Sequence, residues 1–565
     1  LYPWYFASFF ATPWSKDLWR TAPQSSVSRA SYFKVQNATH SSLLTYLKVK
    51  PQPLRQKPLL AHWSGGKLKL EMAFKKLLEK IHLPNWVVGI LALIIILRIP
   101  SFFEPYNYGD EMVYMTLGQG IRQGLTLYKD VYDNKPPLIY LTAAVAGNLF
   151  WFKTILTFWN LVTIIAFYKL AKLLFEKNQK VQKISTLIFA LLTTLPLLEG
   201  MTVNSELLMI IFTIAALIVL LQKDLPDGRR VFLAGTLFGL GTLFKVPAAF
   251  DLPVIVVYWL ITDLKNRKNI LKNTLILGAG FAIPILITII WYFFRGVLPE
   301  YIKAAFLQNI GYLSSFRPGD LQKPFLIRNA PLIARGLIVI LGAGLLYVFR
   351  KKLTPRFILL SLWTLFALFA ATLSERPYPH YLIQAVAPIS LLFATFFAEK
   401  SLEQSLTIIP LFLVFFVPVY YKFWLYPVTP YYLNFIKFAL HQETRQTYFN
   451  HFSPTVNRNY KIAEFAMISI QPSEKIFVWD ADAPSIYALS KHLPPIKYVA
   501  NYHILDFSSK ATEAKNIALN PPKFIILTNN NPYSELNSLI KQKYILINQI
   551  DGANIYARID FAPVK

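Results

Sequence analysis

The chain has 565 residues, 54% of them hydrophobic and only 16% charged, against about 25% charged in soluble domains, so it needs lipid as a solvent. Its formal net charge of +28 does not point to nucleic acid, because the Lys and Arg residues cluster between apolar blocks, where they act as topology signals. The absence of cysteine excludes a disulfide framework, a thiolate metal site and a thiol nucleophile.

In chain order, residues 1–71 begin on Leu1 and mix Pro, Ser, Trp and basic residues without sustained periodicity; they are set aside as an unassigned extension, with a start expected at Met72. Residues 72–430 form the membrane domain. Met72 opens a short basic lead (Lys75, Lys76, Lys80) of the kind found at a cytoplasmic N-terminus. Eleven apolar spans are expected near residues 86–102, 154–175, 184–199, 205–221, 231–247, 248–262, 273–294, 331–349, 356–373, 380–397 and 405–424. Between them lie basic loops: Lys177, Lys180 and Lys183; Lys223, Arg229 and Arg230; Lys265, Arg267, Lys268 and Lys272; Arg350, Lys351, Lys352 and Arg356. All of these are expected on the cytoplasmic side.

The apolar stretch 137–152, inside the loop 103–153, is not counted as a span. Counting it would put Lys177 to Lys183 outside and reverse every later loop, so it is expected to lie in the interface or re-enter. The N-terminus is then cytoplasmic, and loop 103–153, the turn Glu199 to Glu206, loop 295–330 and the turn 374–381 share the outer face. Residues 440–565 read as a soluble extracytoplasmic α/β domain, with strands expected at 474–480, 495–500, 522–528 and 543–549 and helices at 459–470, 509–518 and 533–541. No Gly-rich phosphate loop appears.

The outer segments hold the chemistry. Asp110 and Glu111 form an acidic pair at the mouth of the first span, where charge is costly unless hydrated, paired or bound to a cation; the plainer reading is a solvated loop charge. Lys135, ahead of the rigid Pro136–Pro137, is placed to meet a phosphate or an internal carboxylate. Glu206 opens a span, with Glu199 a weaker competitor, and the helix dipole alone would favour a carboxylate there. Lys245, near the outer end of its span, needs an anion or a snorkelling route. Arg376 suits bidentate phosphate binding and His380 and Tyr381 follow it, against the alternative of interfacial anchoring. Loop 295–330 adds Arg295, Lys303, Arg317, Asp320 and Lys323 without individual roles.

The loop resembles the first external loop of the C-type (GT-C) glycosyltransferases of the protein O-mannosyltransferase and aminoarabinose transferase superfamily. The residues that carry the resemblance are Asp110-Glu111, Gly124, Leu127-Tyr128, Asp130 and Lys135-Pro136-Pro137-Leu138, with the late segment 376–381 similar to a second motif. The resemblance implies a multi-pass enzyme of the plasma membrane that moves one sugar, hexosyl or pentosyl, from a polyprenyl-phosphate donor to an external glycan, lipid or protein hydroxyl, with inversion. It makes Asp110 the general base and Glu111 an orienting partner, and puts Lys135, Lys245, Arg376, His380 and Tyr381 at the donor phosphate or sugar. Glu206 becomes a second acidic site that binds sugar hydroxyls or shares a divalent ion, Mg or Mn, with Asp110. A transporter or flippase would instead call for internal repeats or mid-membrane ionisable residues, and a membrane-anchored scaffold has no need of external acids.

Overall fold

A computed structural model describes residues 83–222, 224–311, 323–398 and 401–561. The extension 1–71, the lead with Lys75, Lys76 and Lys80, and Lys223, Arg317 and Asp320 lie outside the described residues. Among the described residues six helices are long and apolar enough to cross a membrane: Asn85–Phe103, Leu149–Leu174, Leu264–Phe294, Phe325–Phe349, Pro379–Ala398 and Leu402–Tyr420. Three shorter apolar helices, Ser205–Leu221, Val246–Thr262 and Pro355–Ala371, together with Gln179–Leu192 and Asp227–Thr242, occupy the other five expected places. The last two open on the basic residues Lys180, Lys183, Arg229 and Arg230, which lowers their apolar content.

We label the helices α1 Asn85–Arg98, α2 Gly109–Arg122, α3 Leu138–Ala146, α4 Leu149–Leu174, α5 Gln179–Leu192, α6 Ser205–Leu221, α7 Asp227–Thr242, α8 Asp251–Thr262, α9 Arg267–Phe294, α10 Phe325–Phe349, α11 Pro355–Ala371, α12 Ile383–Ala398 and α13 Ile408–Tyr420. Successive apolar helices run up and down, so their connections sort to two ends. At one end Asn178 reaches the Ala398 carbonyl (3.4 Å), Arg356 the Leu174 carbonyl (3.3 Å) and Thr354 the Glu403 carboxylate. At the other, Lys153 donates to the Met201 carbonyl (3.0 Å) and the Tyr426 amide to the Leu197 carbonyl. The basic residues of the loops gather at the first end and Asp110 at the second.

The stretch 137–152 is divided between α3 and the first turn of α4. Its helix α3 has 9 residues, about 14 Å at 1.5 Å per residue, against a hydrocarbon core of about 30 Å. It packs beside α2 while Leu141, Val145 and Trp151 remain exposed, an apolar edge suited to the interfacial zone. α4 then starts at Asn148, whose side chain accepts from the Trp151 amide (3.0 Å), the arrangement that makes Asn a good helix N-cap.

Lipid gives no hydrophobic drive between helices, so close backbone approach matters. α7 and α9 meet through Gly235, Gly239 and Gly280, where an added Cβ would fall inside contact distance of the Leu277, Phe281 and Phe232 carbonyls respectively. Gly235→Ala is expected to cost about 1–3 kcal/mol through forced separation of the pair, read as a lowered thermal midpoint in detergent; an unchanged midpoint would mean that the helices part freely.

The membrane helices lead through α14 Val428–Ala439 into a domain with α15 Val456–Ser469, β1 Ile476–Trp479, α16 Ala483–Ser490, α17 Asn501–Phe507, α18 Lys510–Leu519, β2 Phe524–Leu527, α19 Ser534–Lys543, β3 Tyr544–Ile550 and β4 Ala553–Arg558. Its sheet has the order β1-β2-β4-β3, with β1 parallel to β2 and the other pairs antiparallel. β1 and β2 are buried throughout, as an apolar run flanked by helices requires. Two expectations need correction. Residues 495–500 are not a strand of this sheet: they pass the loop of the membrane domain and make one bridge there, Tyr498 to Tyr132. The fourth strand is instead 553–558, which pairs back on β3 through the turn at Asp551 and Gly552.

Candidate active site

Loop 123–137 is built to present Lys135. Gly124 turns the chain out of α2 with φ +88°, a conformation glycine adopts at no steric cost. Asp130 closes the next turn by accepting from the Thr126 amide (2.8 Å), and the Tyr128 hydroxyl donates to the Lys135 carbonyl (2.9 Å). Tyr128 itself takes φ +75°, strain at the point where the loop is pinned. The Lys135 amide then donates to the Tyr140 hydroxyl (3.2 Å) on α3. Gly124, Tyr128 and Asp130 thus act on Lys135 through the backbone.

Asp110 and Glu111 stand side by side in sequence but turn about 100° apart around α2. Asp110 keeps 29% of its side chain exposed; its carboxylate accepts from the Tyr114 hydroxyl (2.9 Å) and faces the Lys135 ammonium at 3.6 Å. Burial alone would raise its pKa, but Lys135, His380 and the Tyr114 hydroxyl outweigh that and hold the carboxyl below its ordinary value. Glu111 is 2% exposed and points into the protein, where it accepts from the Val203 amide (2.6 Å) and from Lys153 (2.7 Å). Lys153 also binds Glu104 at 2.7 Å. Glu111, expected as an orienting partner for ligands, is placed as a tether between α2, α4 and the turn 200–203.

The second group hangs on that turn. Glu199, with φ +59°, accepts from the Tyr108 hydroxyl (2.7 Å) and the Asn204 amide (3.1 Å) and pairs with Nδ1 of His380. Nε2 of the same imidazole stands 4.0 Å from Glu206, which forms a close ion pair with Lys245. The Lys245 ammonium lies over the Tyr381 ring, 4.0 Å from its centre. Lys245, Glu206, His380 and Tyr381 are therefore one cluster, and the Asp110 carboxyl is within electrostatic reach of His380. His380 is buried with both ring nitrogens turned to carboxylates, so its place is inside this network and not at an open phosphate site. Arg376 lies four residues ahead on an exposed part of the turn, following Glu375, which pairs with Arg335 of α10 at 3.3 Å.

Asp110 and Glu206, the pair expected to share a divalent ion, are each matched to a lysine instead, Lys135 and Lys245. Among the described residues no three His, Asp or Glu side chains gather as a metal would require. A divalent cation would have to compete with the Lys135 and Lys245 ammonium groups for these carboxylates.

Several participants carried little sequence signal. Glu199 ranked below Glu206 yet holds His380. Asp133, two residues before Lys135, accepts from Tyr140 (2.7 Å), from the Asn134 amide (2.8 Å) and from His503 (3.1 Å), and faces Lys135 at 3.5 Å. Asp251, buried at the start of α8, accepts from Thr213 of α6 (2.7 Å) and Gln384 of α12 (3.2 Å), and Gln384 also donates to the Pro247 carbonyl. That contact ties together the three chain segments bearing Glu206, Lys245 and His380.

Residues 135–292 match the family model of the dolichyl-phosphate-mannose-protein mannosyltransferases, a match that opens on Lys135. The fold is similar to crystal structures of ArnT from Cupriavidus metallidurans, one bound to undecaprenyl phosphate and one in the apo state. Each aligns over 85% of this chain and 99% of that one at 14% identity, with TM-scores of 0.52 and 0.50. A comparison with curated proteins gave no match.

Proposed function

We propose that this chain is a C-type (GT-C) glycosyltransferase, similar to the protein O-mannosyltransferase-like and ArnT-like membrane enzymes, and that it transfers one sugar from a polyprenyl-phosphate donor to an external acceptor hydroxyl with inversion. The observation that carries this reading is the unequal fate of the paired acids: Asp110 is charged and open, Glu111 is buried and tied. Asp110 takes the acceptor proton as the acceptor oxygen forms its bond to the anomeric carbon. The bond from that carbon to the phosphate oxygen breaks on the opposite face, which inverts the centre. Lys135, Lys245 and Arg376 are the cations that receive the departing lipid phosphate. Tyr381, under the Lys245 ammonium, aims that charge, while His380 and Glu206 hold the cluster together.

The gathering of basic loop residues at the end opposite Asp110 supports an arrangement with that end cytoplasmic and the site and C-terminal domain outside, in the plasma membrane. A lipid-linked donor also accounts for a site placed at the level where α3 presents its apolar edge.

The test is transfer in liposomes from a panel of polyprenyl-phosphate hexoses and pentoses, with the product's anomeric configuration read by NMR. Inverted product supports the reading; no turnover from any donor by verified folded protein, or retained configuration, overturns it. The depressed Asp110 pKa adds a sign. The base is active when deprotonated, so the acid limb of kcat/KM should fall below the ordinary carboxylate value of ~3.9, leaving the profile flat between about pH 7 and pH 5. A limb centred near neutrality would move the base elsewhere.

A further inference from the structure

The C-terminal domain sets one of its side chains against the loop that carries Lys135. His503, on α17, is 1% exposed and its Nε2 lies 3.1 Å from Oδ1 of Asp133 in the membrane-domain loop. Around it Tyr132 packs against Tyr498, His503 and Phe507, and the Tyr132 amide donates to the Lys497 carbonyl (3.0 Å). Nδ1 of His503 is buried with no hydrogen-bond partner. A proton there would be an unmatched buried donor, so the imidazole is the tautomer that carries its proton on Nε2 and donates it to Asp133.

That bond has a consequence two residues on. Asp133 is 2% exposed and divides its oxygens: Oδ1 serves His503 and the Asn134 amide, Oδ2 serves Tyr140 and Lys135. The Lys135 ammonium faces two carboxylates at nearly equal distance, 3.5 Å from Asp133 and 3.6 Å from Asp110. Both contacts are long for a charge-assisted hydrogen bond, which closes to about 2.7–2.9 Å when fully made. The ammonium is thus shared between the two carboxylates without closing fully on either. Without the His503 bond, Oδ1 would keep only the Asn134 amide, and the carboxylate that faces Lys135 would be held less firmly in its present orientation.

We infer that His503 is a positioning residue, through which the C-terminal domain fixes Asp133 and so sets Lys135 to receive the donor phosphate. The inference rests on the reading of Lys135 as a phosphate-binding cation, and it gives the C-terminal domain a part in building the site.

The experiment measures binding of undecaprenyl phosphate alone to the full-length chain in detergent, with thermal midpoints recorded for each variant. His503→Phe keeps a ring against Tyr132 and Phe507 and removes the donor; it should weaken binding about tenfold, the scale of one lost bond to a charged group. His503→Gln, whose amide can donate to Asp133, should restore most of that affinity. Lys135→Ala is the control for the underlying reading and should weaken binding at least as much. If Lys135→Ala weakens binding and His503→Phe does not, the positioning role is overturned while the Lys135 reading stands. Failure of His503→Gln to restore binding, with its midpoint unchanged, also overturns it, because packing would then explain the loss. If Lys135→Ala leaves binding unchanged, the reading beneath falls and this inference with it. Should His503→Phe not fold, His503→Leu is read in its place with the same outcomes.

Discussion

Asp110→Asn should lower kcat by about 10³, within the 10²–10⁴ that a positioned general base contributes, while the KM for the lipid-linked donor stays within about twofold. Asn keeps the volume and an oxygen that accepts from the Tyr114 hydroxyl. What it removes is the proton acceptor and the negative charge facing Lys135. Because that pair is partly solvated, with 29% of the Asp110 side chain exposed, its loss costs stability no more than about 1 kcal/mol. Lys135 retains Asp133 as a countercharge, so the cation remains at the site. Activity and stability are therefore expected to separate. Steady-state transfer with saturating acceptor, alongside a thermal scan, checks both halves. A variant that folds normally and turns over at the wild-type rate would remove Asp110 from the reaction. A fall in rate accompanied by an equal fall in stability would make it structural.

The same pair of residues marks where sequence reasoning stopped. Asp110 and Glu111 are equally acidic and equally placed at the end of a span, and the sequence alone does not say which one faces outward. That was decided by Lys153, a lone lysine in an apolar run, and by the Val203 amide, some 90 positions away, which together claimed Glu111. Apolar periodicity did convey the eleven helical segments, because lipid leaves little choice but helices with satisfied backbones. The stretch 137–152, left out of that count by the parity of the basic loops, forms the nine-residue α3 and the first turn of α4.

Contacts between distant segments were less legible. Lys245 called for an anion or a snorkelling route and Glu206 for a cation, sugar hydroxyls or the helix dipole, but nothing in the sequence said that the two would satisfy each other. His380 read as a phosphate or sugar ligand, whereas its Nδ1 pairs with Glu199 and its Nε2 stands 4.0 Å from Glu206. His503 lies in a soluble-looking segment without any motif, and only the fold brings it to Asp133. The stretch 495–500 has strand-like composition, yet it lies outside the four-stranded sheet, and its one bridge goes to Tyr132 in the membrane domain.

Lys153→Met is expected to be the most destabilising single change, at about 3–5 kcal/mol, the usual cost of breaking a buried ion pair by removing one partner. Lys153 is 1% exposed and its ammonium is shared by Glu104 and Glu111, both at 2.7 Å, and by the Met201 carbonyl at 3.0 Å. Met matches the length and packs well, so the loss is electrostatic: two carboxylates remain with one cation fewer between them. Glu104 keeps the Tyr431 hydroxyl (2.6 Å) and Glu111 keeps the Val203 amide, which soften the penalty without removing it. Against total stabilities of about 5–15 kcal/mol this is enough to lower the thermal midpoint markedly, read by tryptophan fluorescence or by the monodisperse fraction on heating. Adding Glu111→Gln should recover part of the loss, because a neutral amide no longer needs the ammonium; the two single changes are then non-additive, as partners in one network must be. Additive losses in the double variant would show that Lys153 and Glu111 act independently, and that the turn bearing Glu199 and Glu206 is held to α2 by something other than this ion pair.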